Sequence, residues 1–201
     1  DVVGMDQTHS TRVEALARVE GAPRLAGASS SLEAPAPGEW GPVRADGIVI
    51  DARGWVGAPG LAVQTADCLP VVLAADAGRV VAAVHAGRRG LLGGILTRAV
   101  DAIRELADGP IDALIGPAIC GSCYEVPAQM VRESEAVVPG IGAVTSWGTP
   151  SLDLPRAAAV LLADAGVCVE IDPRCTLEDG DLFSYRADPA CGRQALIIVP
   201  A

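Results

Sequence analysis

One stretch, residues 61–90, constrains the fold more than any other part of the sequence. Two apolar runs rich in β-branched residues, at 71–75 and 80–84, flank a segment of turn composition at 76–79. Gly78 can adopt the positive φ that a tight turn requires. The pattern therefore predicts two antiparallel strands joined by that turn.

The predicted hairpin brings Cys68 and His85 close together. Folding about the turn places Cys68 opposite His85, or within one or two residues of it. Directly opposed side chains in an antiparallel pair have Cβ atoms about 4.5–5.5 Å apart. That separation suits two ligands of one zinc ion, each about 2.0–2.3 Å from the metal. It suits a cysteine–histidine catalytic pair equally well, so we assign both residues to one site and leave its chemistry open.

Composition limits the partners of the chain. Its 201 residues, half of them hydrophobic, can bury a full core, and we expect a single domain over residues 1–201. The net charge of −10 argues against a nucleic-acid partner or an anionic membrane, both of which favour a basic face. All 15 basic residues are arginines. An anion site must therefore use arginine or backbone amides, and lysine chemistry is excluded.

The sequence also bears on the compartment. No apolar run approaches the roughly 18–20 residues that span a bilayer, and no signal peptide is recognisable. The six cysteines are irregularly spaced, and a core of this size needs no disulfides. We therefore expect reduced thiols in the cytoplasm rather than a disulfide framework.

Periodicity gives a coarse map of the remaining elements. We expect a loop over residues 20–41. Strands are predicted at 2–5 (interrupted), 46–51, 111–115, 167–171 and 195–199, and helices at 90–106, 127–134 and 155–165. Strands and helices interleave irregularly, and at least one hairpin is antiparallel. This order favours an α+β fold of mixed β-sheets flanked by helices over a doubly wound parallel sheet.

The second histidine, His9, completes a possible metal site. It follows a short apolar start, within Asp6-Gln7-Thr8-His9-Ser10. Two histidines and one cysteine with an open fourth position form a known composition of catalytic zinc sites. Imidazole and thiolate favour zinc over magnesium or calcium. His9 is therefore a candidate third ligand beside Cys68 and His85.

A second cysteine motif, Cys120-Gly121-Ser122-Cys123, has C-x-x-C spacing. A zinc knuckle would need a second pair at matching spacing. The remaining cysteines, Cys168, Cys175 and Cys191, do not supply one. We interpret the motif as a tight glycine loop with incidental thiols.

Four arginines are candidates for an anion pocket. Arg88 and Arg89 lie between glycines, Arg186 ends Phe183-Ser184-Tyr185-Arg186, and Arg193 follows Gly192. These settings differ from the solvated helix faces on which arginine is common. Guanidinium binds phosphate bidentately, so the four could form a phosphate site without lysine.

Several blocks now become recognisable in one order along the chain. They are Gln7-Thr8-His9-Ser10, Thr65-Ala66-Asp67-Cys68-Leu69-Pro70, Val84-His85-Ala86-Gly87-Arg88-Arg89-Gly90, Gly116-Pro117-Ala118-Ile119 with Tyr124-Glu125-Val126, Cys175-Thr176, Phe183-Ser184-Tyr185-Arg186 and Gly192-Arg193. The first four resemble the Q-x-H-G, T-A-D-C-x-P, H-A-G-W-R-G and G-P-x-I…Y-E-V motifs of the laccase-domain family. That family was long labelled polyphenol oxidase and later reassigned to purine nucleoside phosphorylase. Departures are Ser10 for glycine, Arg88 for tryptophan, and Cys120-Gly121-Ser122 within the fourth block.

The resemblance implies a fold, a metal and an activity. It implies mixed sheets flanked by helices, a zinc site on His9, Cys68 and His85, and phosphorolysis of adenosine, inosine and methylthioadenosine, with adenosine deaminase activity beside it. Arg88 would alter the pocket wall and with it substrate preference. Family members usually carry a further N-terminal segment, so we expect the natural protein to extend upstream.

The predicted roles follow from these motifs. We expect Cys68, His85 and Arg89 to act in catalysis. The residues expected to bind nucleoside and phosphate are Gln7, Arg89, Tyr124, Arg186 and Arg193. Zinc is the expected cofactor, the expected partners are these small molecules alone, and we expect a monomer.

Other functions are weighed by ligand supply and chemistry. A blue-copper site alone takes two histidines and a cysteine, and oxygen reduction needs several further copper ligands, so two histidines exclude a true laccase. A cysteine hydrolase with Cys68 as nucleophile and His85 as base, acting on amide bonds of peptidoglycan precursors, stays open. So does a non-catalytic, zinc-stabilised binding module.

Overall fold

The computed structural model describes residues 1–19, 22–25 and 41–201. Within them the helices are α1 (Arg88–Leu92), α2 (Ile95–Arg104), α3 (Ala128–Glu135) and α4 (Leu154–Asp164). The strands are β1 (Val2–Val3), β2 (Val13–Val19), β3 (Ala22–Leu25), β4 (Gly47–Asp51), β5 (Gly60–Thr65), β6 (Leu69–Ala75), β7 (Val80–Ala86), β8 (Ile111–Ile115), β9 (Gly142–Val144), β10 (Pro150–Leu152), β11 (Cys168–Ile171) and β12 (Gln194–Ile198).

The main sheet has seven strands in the order β11-β8-β6-β7-β4-β2-β3. Its centre is the predicted hairpin of β6 and β7, in which Ala75 pairs with Val80 and Pro70 pairs with His85. Gly78 has φ +82°, as the turn requires, and the preceding Asp76 and Ala77 also have positive φ. The sheet mixes parallel and antiparallel pairs. The predicted α+β class is confirmed.

Both faces of the main sheet are covered, which explains why every residue of β7 is buried. Alternate residues on β4 and β7 pack against α1, α2 and α4 on one face. The intervening residues, such as Ile48, Ile50 and Val81, pack against the second sheet of β1, β5 and β12 on the other face. Strands covered on both faces become continuous apolar runs rather than alternating ones.

The helix predicted over 90–106 is wrong as a single element. Gly93 and Gly94 divide it into α1 and α2, and Gly94 has φ +86°, a left-handed conformation that interrupts a right-handed helix. The apolar spacing continues through the break because both helices bury their apolar faces in the same core. Periodicity alone therefore gave no sign of it.

Most of the other predicted helices and strands are present in the structure. The strands predicted at 46–51, 111–115, 167–171 and 195–199 and the helices at 127–134 and 155–165 are confirmed within one or two residues at each end. The loop predicted over 20–41 falls largely outside the described residues, and it is wrong at Ala22–Leu25, which form β3 beside β2. The sequence analysis did not identify β2, β5, β9 or β10. No helix in the described part of the chain has both the length and the apolar character needed to cross a membrane.

Candidate functional site

The hairpin places Cys68 and His85 at one end of the main sheet. His85 is the penultimate residue of β7 and pairs with Pro70, while Cys68 directly precedes β6. Cys68 is therefore two residues from the position opposite His85, within the predicted offset. Gly87 follows β7, and a Cβ atom there would lie 2.7 Å from His9 Cδ2 and 3.2 Å from Cys68 Sγ. Glycine thus leaves room for the two side chains to meet.

Hydrogen bonds to the Asp46 carboxylate hold the turn that carries His9. The amides of Thr8, His9 and Ser10 donate to the carboxylate of Asp46 over 3.2, 3.0 and 2.6 Å. The Ser10 hydroxyl donates to the same carboxylate over 2.6 Å. His9 has φ +59°, a left-handed conformation that non-glycine residues adopt rarely. Asp46 therefore wraps this segment into a turn that presents the His9 ring.

Asp46 also orients His85. His85 Nδ1 lies 2.8 Å from Asp46 Oδ1, and the two side chains are 4% and 0% exposed. A proton on Nδ1 that is donated to a carboxylate leaves Nε2 free for a metal, as in carboxylate–histidine–zinc arrangements. One carboxylate thus positions both histidines.

The ligand atoms of His9, Cys68 and His85 all lie within 4.8 Å of one another. His9 Nε2 is 3.7 Å from Cys68 Sγ, and the two imidazole rings are 4.7 Å apart at an interplanar angle of 80°. Nitrogen and sulfur ligands of one tetrahedral zinc ion lie about 3.5 Å apart. The donor set and its spacing therefore fit a zinc ion, although their role as ligands stays a prediction.

Hydrogen bonds and charges couple the ionisation of Asp46, Cys68 and His85. Burial alone would raise the pKa of the Asp46 carboxyl, but hydrogen bonds from His85 and Ser10 hold that pKa well below its usual range. Burial likewise opposes the charged form of Cys68 and of His85. Hydrogen bonds to the two histidines nevertheless lower the pKa of Cys68 to about 7, and bonds to Asp46 and Cys68 raise the pKa of His85 to about 9. The metal-free chain thus favours a thiolate beside an imidazolium near neutral pH.

A cleft of about 450 Å³ opens on the three ligand residues. Of the predicted substrate residues, Gln7 and Arg193 line it, and the partly exposed Tyr185 lines it too. The Arg193 guanidinium lies 5.8 Å from the centre of the Tyr185 ring. This volume is within the range of small-molecule sites.

Gln64 and Thr65 also line the cleft, and the sequence analysis did not identify them. Their side-chain oxygens are buried and have no hydrogen-bond partner among the described residues. Gln7, which is predicted to bind substrate, also has a structural contact, since its side-chain amide donates to Gln64 O and accepts from Gln64 N over 2.7 and 2.9 Å. It anchors the His9 segment to β5. Buried polar atoms without partners in a cleft are candidate contacts for a ligand.

The other predicted substrate residues lie outside this lining. The guanidinium of Arg186 is 5.3 Å from the centre of the Tyr124 ring and donates to Glu125 O over 2.9 Å. Burial raises the pKa of the Tyr124 hydroxyl, and the nearby Arg88 charge partly offsets that effect. Arg89 is exposed on α1 and, in the described part of the chain, is not among the residues that line the cleft. Of the arginines predicted to bind substrate, Arg193 therefore lines the cleft, whereas Arg186 and Arg89 are not among its lining residues in the described part of the chain.

Asp46 and Asp67 are the supports that sequence reasoning missed. Asp67 has φ +81° and accepts from Thr176 Oγ1 and Arg186 N, each over 2.7 Å. It lies next to Cys68 and ties that residue's turn to the C-terminal segment. The available signal was an acidic residue at the start or end of an apolar strand, a place where a charge is costly unless it is paired.

Comparison with known proteins identifies the family. A family model described as "Multi-copper polyphenol oxidoreductase laccase" matches residues 1–201. The chain belongs to this family. The laccase family assignment confirms the resemblance that the motifs indicated.

Curated relatives of the chain are named purine nucleoside phosphorylase and not laccase. A Streptomyces griseus protein named purine nucleoside phosphorylase is 48% identical over 153 residues, covering 75% of this chain and 61% of that protein. A Corynebacterium glutamicum protein of the same name is 41% identical over 201 residues, covering 98% of this chain and 73% of that protein. The chain thus spans about three fifths of the Streptomyces relative's length.

Solved structures share the fold. A Neisseria meningitidis protein superposes with a TM-score of 0.74 at 32% identity, covering 100% of this chain and 75% of its own. A Geobacillus stearothermophilus protein superposes with a TM-score of 0.76 at 29% identity, covering 99% of this chain and 73% of its own. Despite the laccase family's description, these 201 residues hold two histidines, too few for the copper ligands of a laccase.

Proposed function

We propose that the chain acts in phosphorolysis of purine nucleosides, with adenosine, inosine and methylthioadenosine as substrates, and with adenosine deaminase activity at the same site. The observation that carries this proposal is the cleft itself. It joins a His–Cys–His cluster and an arginine–tyrosine pair around about 450 Å³. The names of the curated relatives support the same reaction class.

His9, Cys68 and His85 would hold a zinc ion, because their donor atoms are soft or borderline and lie at suitable mutual distances. When bound, zinc would supply Lewis acidity at an open position facing the cleft. Asp46 contributes by fixing the His85 tautomer and the backbone turn at His9.

Because the sequence holds no lysine, arginine is the side chain best suited to hold phosphate. Arg193 lines the cleft beside Tyr185, and Arg186, whose backbone amide donates to Asp67, lies beside Tyr124. We assign phosphate binding to Arg193 first, with Arg186 as a second contact. Arg89 stays a prediction, and its exposed side chain would have to turn toward the cleft.

The reaction forms one bond and breaks one. A phosphate oxygen bonds to the anomeric carbon of the ribose, and the bond between that carbon and the purine nitrogen breaks. The electron pair leaves with the purine, which then takes up a proton. The residues Gln64 and Thr65 line the cleft, and contacts with a bound nucleoside would position it for in-line attack.

Product analysis tests the proposal. Purified, zinc-loaded protein is incubated with adenosine, with and without phosphate. Phosphorolysis gives adenine and ribose 1-phosphate only when phosphate is present, hydrolysis gives adenine and ribose, and deamination gives inosine without phosphate. We expect the phosphate-dependent products from the natural chain and at least a hundredfold less from Cys68→Ala. Cys168→Ala, which removes an exposed thiol on β11, is the matched control. Failure of the natural chain to form ribose 1-phosphate would contradict the proposal.

One observation favours a second candidate, the cysteine hydrolase. In the metal-free chain the pKa of Cys68 falls to about 7 beside a His85 whose pKa rises to about 9, which is the pairing of an activated cysteine nucleophile. Zinc on Cys68 would occupy that thiolate. Cleavage of a peptidoglycan-precursor amide that increases on chelation would favour this reading, and cleavage of adenosine that decreases on chelation would favour phosphorolysis.

We further propose that the chain works in the cytoplasm on small molecules alone. All six cysteines are free thiols in the structure, and the charge of −10 is unsuited to nucleic acid. We also propose that the chain acts as a monomer.

A further inference from the structure

A second cluster of ligating side chains lies apart from the cleft. The sulfur atoms of Cys120, Cys123 and Cys175 and a carboxylate oxygen of Glu178 all lie within 4.8 Å of one another. The loop after β8 supplies the first two residues, and the segment after β11 supplies the others. Cys123 and Cys175 are 3% and 6% exposed and pack on Ile119. The cluster thus joins two segments that are more than fifty residues apart in sequence.

The two segments form matching turns. The amides of Cys123 and Tyr124 donate to Cys120 O over 3.0 and 2.9 Å. The amides of Glu178 and Asp179 donate to Cys175 O over 3.1 and 2.9 Å. Each turn therefore brings its first and fourth side chains to one side, and the cluster has the pattern C-x-x-C followed by C-x-x-E.

Backbone contacts lock the turns together. Ala118 and Cys175 form a parallel bridge, and Thr176 N donates to Ala118 O over 3.1 Å. Cys120 N also lies 3.3 Å from Cys175 Sγ and donates to it. The loops are therefore arranged around the sulfur atoms and not merely packed beside them.

The donor set indicates which ligand it would take. Structural zinc sites are closed and four-coordinate, with ligand pairs separated by two to four residues. Three thiolates select a thiophilic cation over magnesium or calcium. Incidental burial would account for one or two apolar cysteines. It would not account for two matched turns whose first and fourth residues, a cysteine pair in one and a cysteine and a glutamate in the other, all meet.

We propose that Cys120, Cys123, Cys175 and Glu178 bind a second, structural zinc ion, independent of the His9–Cys68–His85 site. The interpretation of Cys120 and Cys123 as incidental thiols overlooked Glu178, because it sought the second pair among cysteines alone. The proposed ion fixes the position of Thr176, which donates to Asp67 next to Cys68. It therefore supports the cleft from outside without contacting a substrate.

Zinc stoichiometry tests this inference separately from any activity. The full chain is loaded with zinc, dialysed and analysed for metal per chain. We expect two zinc ions in the natural chain and one in His9→Ala/Cys68→Ala, which removes two exposed or half-buried ligands of the first site and keeps the His85–Asp46 bond. Adding Cys175→Ser to that variant should abolish the remaining zinc, whereas adding Cys168→Ser should leave it.

Two measurements guard against a variant that fails to fold. The first is Glu178→Gln, which changes an exposed side chain. We expect it to weaken zinc binding at the second site at least tenfold in competition with a chelator, and Glu170→Gln is the matched control. In His9→Ala/Cys68→Ala loaded with cobalt, we expect thiolate-to-cobalt absorption as strong as three thiolates give. The inference is overturned if that variant binds no metal, if Glu178→Gln binds as tightly as the natural chain, or if mass analysis finds a disulfide among the three cysteines.

Discussion

Asp46 shows how much a single buried carboxylate can organise. It has no exposed surface, yet it accepts hydrogen bonds from three consecutive amides, from Ser10 Oγ and from His85 Nδ1. These bonds compensate the cost of burying its charge. Through them one residue sets the backbone at His9 and the ring orientation at His85.

Asp46→Asn tests that role. The neutral amide accepts more weakly from the three backbone amides and no longer stabilises the His85 proton, so both histidines lose their orientation. We expect zinc affinity at the first site to fall about 10–100-fold, the usual cost of losing such a partner. Competition with a chelator measures it, and Asp101→Asn on the exposed face of α2 is the control. Unchanged affinity in Asp46→Asn would show that the histidines are positioned by something else.

Cys68 provides a pH test on the metal-free chain. The thiolate is the species that reacts with iodoacetamide, and hydrogen bonds to the histidines lower the pKa of Cys68 from 9.0 to about 7. The rate of alkylation at Cys68, followed by mass spectrometry, should therefore be half-maximal near pH 7. His85→Ala should move that midpoint upward. A midpoint near 9 in the natural chain would mean that the thiolate is not stabilised.

At the scale of single residues, the sequence predicted the pair and missed its support. Cys68 and His85 could be paired because hairpin geometry relates residues symmetrically about a turn. His9 was a candidate ligand because two histidines and one cysteine suit zinc, and the resemblance to known motifs supported it, although nothing local relates it to β7. Asp46 left only an indirect signal, an acidic residue next to an apolar strand, because its role depends on a contact with His85, which lies 39 residues further along the chain.

At the scale of elements, the β6–β7 hairpin carries the site and Asp67 fastens it to the C-terminal segment. Asp67 lies in the link between β5 and β6 in a left-handed conformation, and its carboxylate reaches Thr176 and Arg186, 109 and 119 residues away. Contacts of this range close large loops, which has a cost in chain entropy. One side chain therefore holds two distant segments at the edge of the cleft.

Asp67→Ala should destabilise the protein by about 3 kcal/mol. It removes two charge-assisted hydrogen bonds, each contributing about 1.5–3 kcal/mol, and part of that loss is offset by relaxation of the C-terminal segment. It also leaves alanine at a positive φ. Denaturant unfolding measures the change. Asp67→Asn keeps an acceptor and tolerates the backbone conformation, so we expect about half the loss. A change within about 0.5 kcal/mol for the alanine variant, the range of ordinary surface substitutions, would contradict this role.

Elements also differ in how far the sequence reveals them. Pro127 indicated the start of α3 and Gly166 the end of α4, each within two residues, since the effect of proline and glycine on the backbone is local. Gly93 and Gly94 were not recognised as a break, because the apolar faces of α1 and α2 follow one continuous pattern. Short edge elements such as β9 and β10 have three residues each, too few for a period to emerge.

At the scale of the whole molecule, two sheets and a helical layer bring together residues from both ends of the chain. His9 comes from the start, Cys68 and His85 from the central hairpin, and Arg193 from the C-terminal part. The sequence predicted the α+β class because irregular interleaving is a global property. It could not predict that Arg193 and Tyr185 share the cleft while Arg89 lies outside, since side-chain direction depends on packing between the two sheets.

Anomalous X-ray diffraction at the zinc absorption edge tests the central claim most directly. Crystals of zinc-loaded protein should show a peak bonded to His9, Cys68 and His85, about 2.0–2.1 Å from nitrogen and about 2.3 Å from sulfur. The corresponding map of His9→Ala/Cys68→Ala should lack that peak and keep every other zinc peak. A map from protein that cleaves adenosine with phosphate, but without a peak between these three side chains, would contradict the account.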